Sequence, residues 1–191
     1  MLDVNIREGV LSDGHAIVQM AAKLSEHEGV SPPIFDKDRF ARFGFGENKR
    51  FDVLVAEARQ EIICGYLIFC HSFHVGLGTP GFNMLDLFVE QKLRRKGIAR
   101  SLMCAMANKC IDTNGGWITW QCHPNNRLAL DYYRLIGGRQ FKSVDFEIAG
   151  DELIPGHLLG GKGIEGMIRP LRLAQVGEHA PAKLVLPGSF E

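Results

Sequence analysis

Met84–Met103 reads MLDLFVEQKLRRKGIARSLM, and the order of its parts decides the fold. Met84–Val89 is an apolar run of strand length, which predicts a buried strand. A short polar turn follows. Arg94-Arg95-Lys96-Gly97-Ile98-Ala99 then opens a helical apolar pattern. Strand, basic glycine-bearing turn and helix start together build an anion site. The first backbone N–H groups of a helix have no intrahelical partner, and the macrodipole adds partial positive charge at the same end. A pyrophosphate suits such a site. Gly97 has no Cβ, which lets the backbone approach a ligand closely.

Outward from this stretch the pattern alternates. Asn5–Val10 predicts a first strand, and Ser12 or Asp13 is placed to cap the helix after it. Ile17, Met20, Ala21 and Leu24 recur at helical spacing as far as about Glu28. Ser31-Pro32-Pro33 breaks the chain, and Asp36–Phe43 predicts a second short helix. Phe51–Ala58 and Ile62–Phe69 read as a hairpin turning near Arg59–Glu61, and Gly76–Gly81 as a loop. After the Met84 strand, Ile98–Ile111 predicts a helix ended by Gly115-Gly116. Trp117–Cys122 then predicts a strand, Asn126–Ile136 a helix and Phe141–Ile148 a final strand.

The bulk properties narrow the class. The 191 residues carry 22 Lys and Arg against 22 Asp and Glu, so the net charge is zero. That balance argues for neither nucleic acid nor an anionic membrane as a partner. The five cysteines, Cys64, Cys70, Cys104, Cys110 and Cys122, are odd in number, and several lie within apolar runs. Buried free thiols in a reducing compartment fit them. The opening MLDVNIREGV lacks the apolar core of a signal peptide, and no apolar run reaches membrane-span length. The expected location is the cytoplasm. His71 and His74 would face opposite sides of a regular strand, and no Cys/His cluster supports a metal site.

R-x-x-G-x-A, at Arg94, Gly97 and Ala99, resembles the acetyl-CoA-binding motif of the GNAT superfamily of N-acyltransferases. N-x-x-A-x-x-x-Y, at Asn126, Ala129 and Tyr133, resembles that family's second signature. Arg134-Leu135-Ile136-Gly137-Gly138 looks like its helix end and following turn. The N-terminal half is similar to the diamine (spermidine/spermine) N-acetyltransferase branch. The likeness runs through Ile6-Arg7, Leu24-Ser25-Glu26-His27-Glu28, Gly44-Phe45-Gly46-Glu47, Leu54-Val55-Ala56-Glu57 and Asp86-Leu87-Phe88-Val89. It implies an α/β GNAT fold over residues 1–150, with a mixed central sheet and helices on both faces. Residues 151–191, rich in glycine yet apolar, read as a C-terminal arm packing on the domain or on a second subunit.

The resemblance also implies a site. Backbone groups of Leu87, Phe88 and Val89 are expected to bind the pantetheine arm of acetyl-CoA as an added strand. Arg94, Arg95, Lys96, Gly97, Ile98, Ala99 and Arg100 are expected at its pyrophosphate, and Asn126 and Tyr133 beside the thioester. Glu28 matches a carboxylate that helps to hold a cationic amine, with His27 and Asp86 as further substrate contacts. One departure stands out: the branch carries Glu-Asp where this chain has Leu85-Asp86. Leucine cannot bind an ammonium group, so polyamines are in doubt and the general base is unassigned among Glu28, Asp86, His27 and water. On a regular strand Asp86 points to the face opposite Leu85.

The chemistry these residues support is acyl transfer to a primary amine of a small molecule, diamine-like, polyamine-like or amino-acid-like. The amine attacks the thioester directly, and Tyr133 serves as general acid toward the thiolate. A backbone N–H near Phe88 or Val89 is a candidate oxyanion donor. Family habit suggests a homodimer. Plainer readings stand beside these: Asn126 is also a good helix N-cap, and Tyr132 and Tyr133 also suit simple packing. Two other functions stay open, a non-catalytic acyl-CoA sensor and an acyltransferase for peptide or protein amines.

Overall fold

Period-two alternation along the central strands sends neighbouring side chains into two separate cores, and this makes the architecture layered. In the computed structural model, which describes residues 4–143 with Phe146 and Ile148, the elements run β1 (Val4–Glu8), α1 (Gly14–Glu28), α2 (Lys37–Gly44), β2 (Asp52–Ala58), β3 (Ile62–His74), β4 (Thr79–Val89), α3 (Ile98–Asp112), β5 (Ile118–Trp120) and α4 (Arg127–Leu135). The strands form one sheet in chain order, β1 to β5. The first four pair antiparallel, and β5 lies parallel to β4. Val53, Val55, Tyr66, Ile68 and Phe88 face α1 and α2 through Ile17, Met20 and Phe40. Leu54, Ala56, Leu67, Phe69, Met84 and Val89 face α3. On α3, Ile98, Leu102, Met106 and Cys110 recur every fourth residue and form its buried stripe.

The chain divides into two compact units, Met1–Leu135 and Ile136–Glu191. The boundary expected at residue 150 lies outside the described residues. In the second unit, the Arg139 guanidinium lies 4.8 Å from the centre of the Phe141 ring. The strand expected over Phe141–Ile148 is not seen: Phe141–Ser143, Phe146 and Ile148 are irregular, and its other residues lie outside the described ones. So does the arm read over 151–191. No helix among the described residues is long and apolar enough to cross a membrane.

Three other departures have physical causes. Residues 79–81 are strand rather than loop, because β3 and β4 keep pairing out to His74 and Thr79. Pro80, which has no N–H to give, sits one residue inside the strand start, where proline is tolerated, and its carbonyl accepts from Gly116 N–H at 2.9 Å. The strand expected over Trp117–Cys122 shortens to Ile118–Trp120. Finally, Asp13 stands at the N-terminus of α1 but does not cap it. Its carboxylate instead accepts from both Nη atoms of Arg7, at 2.8 and 3.0 Å, and from Val10 N–H at 2.8 Å. Arg7 Nε also donates to Glu57 at 2.5 Å, so one guanidinium ties β1, β2 and the entry to α1 together.

β4 is held to β5 at one end only. Pairing stops at Met84↔Trp120. Phe82 N–H donates to Trp117 O at 3.1 Å, and Trp117 Nε1 donates to Thr79 O at 3.0 Å. A Cβ on Gly81 would stand 2.4 Å from the Trp117 ring, so only glycine permits this closure. β5 ends at Trp120, so β4 runs on beyond Met84 without it.

Asp13 is buried. Burial opposes its charge, yet Arg7 and the Val10 N–H hold its carboxyl below the usual carboxylate range. A carboxylate depressed in the folded state lends stability above its unfolded pKa and loses it as pH falls through the folded one. Asp13→Asn is therefore expected to cost about 1–2 kcal/mol at pH 7. The deficit should shrink toward zero in urea melts below about pH 3.

Candidate active site

Four elements bring ionisable groups to the place where β4 runs on beyond β5. The first is β4 itself. Ile68 pairs with Asp86 and Phe69 with Met84, so Leu85 is an extra residue, a β-bulge. Alternation restarts after it: Phe82 and Met84 face the α3 core, yet so do Leu87 and Val89. The expectation that Asp86 points opposite Leu85 assumed a regular strand, and that premise fails here. Leu85 is 53% exposed, while Asp86 lies on the α1 side with Ile68 and Phe88.

The second is β3. Tyr66 is a diagonal neighbour of Asp86 on the same face, and its phenol O–H donates to Asp86 Oδ2 at 2.5 Å. Tyr66 has no exposed surface, and its ring stacks 6.3 Å from Phe88. The third is α1, which ends at Glu28, where Val30 N–H closes the last turn on Ser25 O at 3.0 Å. Glu28 is half-buried and His27, beside it, is exposed. The fourth is α4. Tyr133 packs with the α3 core, its ring 5.1 Å from Trp120 and 5.6 Å from Tyr132.

Because the sheet opens beyond Met84, groups from its two faces meet there: Asp86 and Glu28 from the α1 side, Tyr133 from the α3 side. Their fields overlap. Burial pushes Asp86 up to about 6; the Tyr66 hydrogen bond opposes this, the charge of Glu28 adds to it, and the Leu87 backbone opposes it. Asp86 keeps some surface open to the cleft, but its carboxyl end is hemmed in by protein, which is what desolvates it. Burial raises the Tyr133 phenol, and Cys122, Tyr132, Asp86 and Glu28 raise it further. It therefore keeps its proton at neutral pH. Burial and Glu28 also raise the Cys122 thiol, which keeps it from being a thiolate nucleophile.

The strand, basic turn and helix start that the sequence order implies are present, with Gly97 and Arg94 placed as follows. Gly97 is the N-cap of α3 at φ +85°, and Ser101 N–H is bonded to Gly97 O at 2.9 Å. The N–H groups of Ile98, Ala99 and Arg100 are thus the orphans of the first turn. A Cβ on Gly97 would meet no described protein atom within 4 Å, and its left-handed backbone at φ +85° favours glycine. Arg95, Lys96 and Arg100 are exposed. Arg94 turns back, its Nε donating to Val89 O at 3.0 Å and its guanidinium 5.5 Å from the Phe88 ring centre. Asn126 Oδ1 accepts Ala129 N–H at 3.2 Å, which caps α4.

The structure thus gathers Glu28, Asp86 and Tyr133, leaves His27 at the surface, and adds Tyr66 and Cys122. The sequence offered one signal for Tyr66. It is a lone hydroxyl in an aliphatic run, and a buried tyrosine usually has a hydrogen-bond partner.

Residues 49–137 match the acetyltransferase (GNAT) domain family. The match covers 89 of the 191 residues. L-ornithine N5-acetyltransferase NATA1 of Arabidopsis thaliana is 30% identical over 117 residues, which are 61% of this chain and 46% of that protein. The chain thus spans about half the length of that curated relative. An integron cassette protein from V. cholerae superposes with TM-score 0.66 at 21% identity, over 80% of this chain and 96% of its own. The aminoglycoside N-acetyltransferase AAC(6')-Iy in complex with CoA gives TM-score 0.61 at 14% identity, over 76% and 94%. These likenesses establish that the sheet and helices described above are the GNAT fold.

Within this fold, Asp86 trades stability for charge. Its raised pKa means that the folded state binds the proton more tightly than the unfolded chain. Stability is therefore greatest below the ordinary carboxylate value of 3.8 and is lost as pH rises through about 6. Asp86→Asn, which keeps an oxygen for Tyr66, is expected to be more stable than wild type by about 2 kcal/mol at pH 8. Thermal melts should show the two proteins converging near pH 4.

Proposed function

We propose that the chain is an acetyl-CoA-dependent N-acetyltransferase acting on a primary amine of a small, cationic, diamine-like or amino-acid-like molecule. One observation carries this reading: two carboxylates and a protonated phenol meet at the opening between β4 and β5, beside a basic helix N-terminus.

The chain's residues fit the acyl donor. The orphan N–H groups at the start of α3, with Arg95, Lys96 and Arg100, suit its pyrophosphate. The backbone of Leu87, Phe88 and Val89 has no β5 partner, which leaves a strand edge for an extended amide-bearing arm. Tyr132 Oη, buried without a hydrogen-bond partner among the described residues, belongs to the helix that carries Tyr133 and is capped by Asn126. The orphan calls for a polar group that the described residues do not supply. Arg94 acts through its fold-back on Val89, holding the turn, rather than as a free cation.

When bound, acetyl-CoA supplies the activated thioester. The protein's part is proton management and positioning. An amine arrives as an ammonium ion, and Asp86 with Glu28 attracts it. Asp86, ionised above about pH 6, accepts the proton that must leave before the nitrogen can attack. Tyr133 keeps a proton at Oη, available to the departing sulfur. Leu85 presents an exposed apolar surface where a second acid would otherwise stand. This favours an amine with a short aliphatic stem, and the named activity of the Arabidopsis relative, on L-ornithine, points the same way.

The decisive assay is CoA release across L-ornithine, 1,4-diaminobutane, spermidine, an arylalkylamine, an aminoglycoside and a peptide N-terminus. Turnover is expected with the first two, and binding of acetyl-CoA without turnover on any amine would overturn the reading. Tyr133→Phe should lower kcat by about 10²-fold while leaving acetyl-CoA affinity within about twofold.

A further inference from the structure

Asp86 has two oxygens, and among the described residues Oδ2 takes a side-chain hydrogen bond, while the Leu87 backbone also favours the charged carboxyl. Tyr66 Oη donates to Oδ2 at 2.5 Å from a ring fixed on β3 by complete burial and by its stack on Phe88. Asp86 itself follows the Leu85 bulge, at the point where regular strand geometry is interrupted. A carboxylate there would otherwise be free to rotate about its side-chain bonds. The diagonal tie from β3, the strand that pairs with β4 throughout this region, removes that freedom, and no other side chain among the described residues hydrogen-bonds Oδ1.

We propose that Tyr66 is a positioning residue for acetyl transfer: its phenol O–H orients the Asp86 carboxylate so that Oδ1 receives the proton of the incoming amine. This inference rests on the function proposed above and adds a residue that lies outside both sequence motifs. In the step, the ammonium N–H bond breaks and an O–H bond forms at Asp86 Oδ1. The nitrogen lone pair thereby released makes the new bond to the acetyl carbon as the C–S bond breaks; Tyr133 gives its proton to the departing sulfur and recovers one from the second N–H that the acylated nitrogen must lose. Tyr66 keeps its own proton throughout, since burial and the adjacent Asp86 carboxylate raise its phenol well above the ordinary range.

The groups facing Asp86 define the pH response. They are Tyr66 from β3, Glu28 from the end of α1, and the Leu87 backbone, while Tyr133 from α4 shares the same field. Of these, Tyr66 and Leu87 favour the ionised carboxylate, and Glu28 opposes it. Tyr66→Phe keeps the ring that stacks on Phe88 and removes one stabilising hydrogen bond. It should make Asp86 harder to ionise.

The test uses the full chain and two readouts. In carboxyl-carbon NMR of aspartate-labelled protein without substrate, the Asp86 midpoint should rise by about one pH unit in Tyr66→Phe. In kcat/KM profiles with L-ornithine and 1,4-diaminobutane, the acidic limb should move up with it. Activity would then fall about fivefold at pH 6 and converge toward wild type near pH 9. Asp86→Asn should abolish the limb together with most of the activity. An unmoved midpoint and limb in Tyr66→Phe overturn the positioning role while leaving the acetyltransferase reading intact. Full activity in Asp86→Asn overturns the proton-acceptor assignment. No turnover of any amine by wild-type protein, with acetyl-CoA bound, overturns the function itself, and the NMR midpoint then still reports whether Tyr66 governs Asp86.

Discussion

The end of β5 at Trp120, beyond which β4 runs on without it, is the constraint on which the rest depends. A parallel strand that stayed paired along β4 would satisfy its backbone and seal the sheet. Here Trp117, packed on Gly81 and bonded to Thr79 and Phe82, fixes the closed end, and the Leu85 bulge follows directly. The added residue bends the strand and restarts its alternation. Without it, Asp86 would face the α3 core, where a carboxylate has no partner and would carry the full penalty of burial.

The opening has an electrostatic consequence. Sheet faces are normally insulated from each other by the sheet itself. At this gap, acids positioned from the α1 side and a phenol positioned from the α3 side lie within electrostatic reach: the charge of Glu28 raises Asp86, and both acids raise Tyr133. Asp86 is brought close to neutral pH and Tyr133 is moved away from it. One group can then accept a proton and the other can donate one, a division of labour set by burial more than by residue type. The Cys122 thiol, in the same field, is held protonated.

A second device keeps the scaffold rigid around this strained region. Arg7 serves Asp13 and Glu57 at once and locks the first two strands to the start of α1, the helix whose far end presents Glu28. Arg94 does similar work at the other end of β4, where its Nε holds Val89 O and its guanidinium covers Phe88. An arginine read in the sequence as a phosphate ligand is thus also a structural clasp for the turn before α3.

The sequence by itself determined the strand–turn–helix unit at Met84–Met103, because apolar periodicity, a basic turn and a glycine with a special backbone requirement are all local properties. It likewise determined the helices through Glu28 and Tyr133 and the layered α/β order up to α4. Tertiary structure alone decided the rest. A bulge is a property of pairing between two strands, so nothing within Met84–Val89 announces that Leu85 is the extra residue. Strand length depends on the partner too, which is why Thr79–Gly81 became strand. Asn126 carried two readings, and the α4 cap it forms was settled only by placing Ala129 N–H against it. Tyr66 bears on Asp86 across a diagonal between β3 and β4, a contact between residues 20 apart that no linear motif contains.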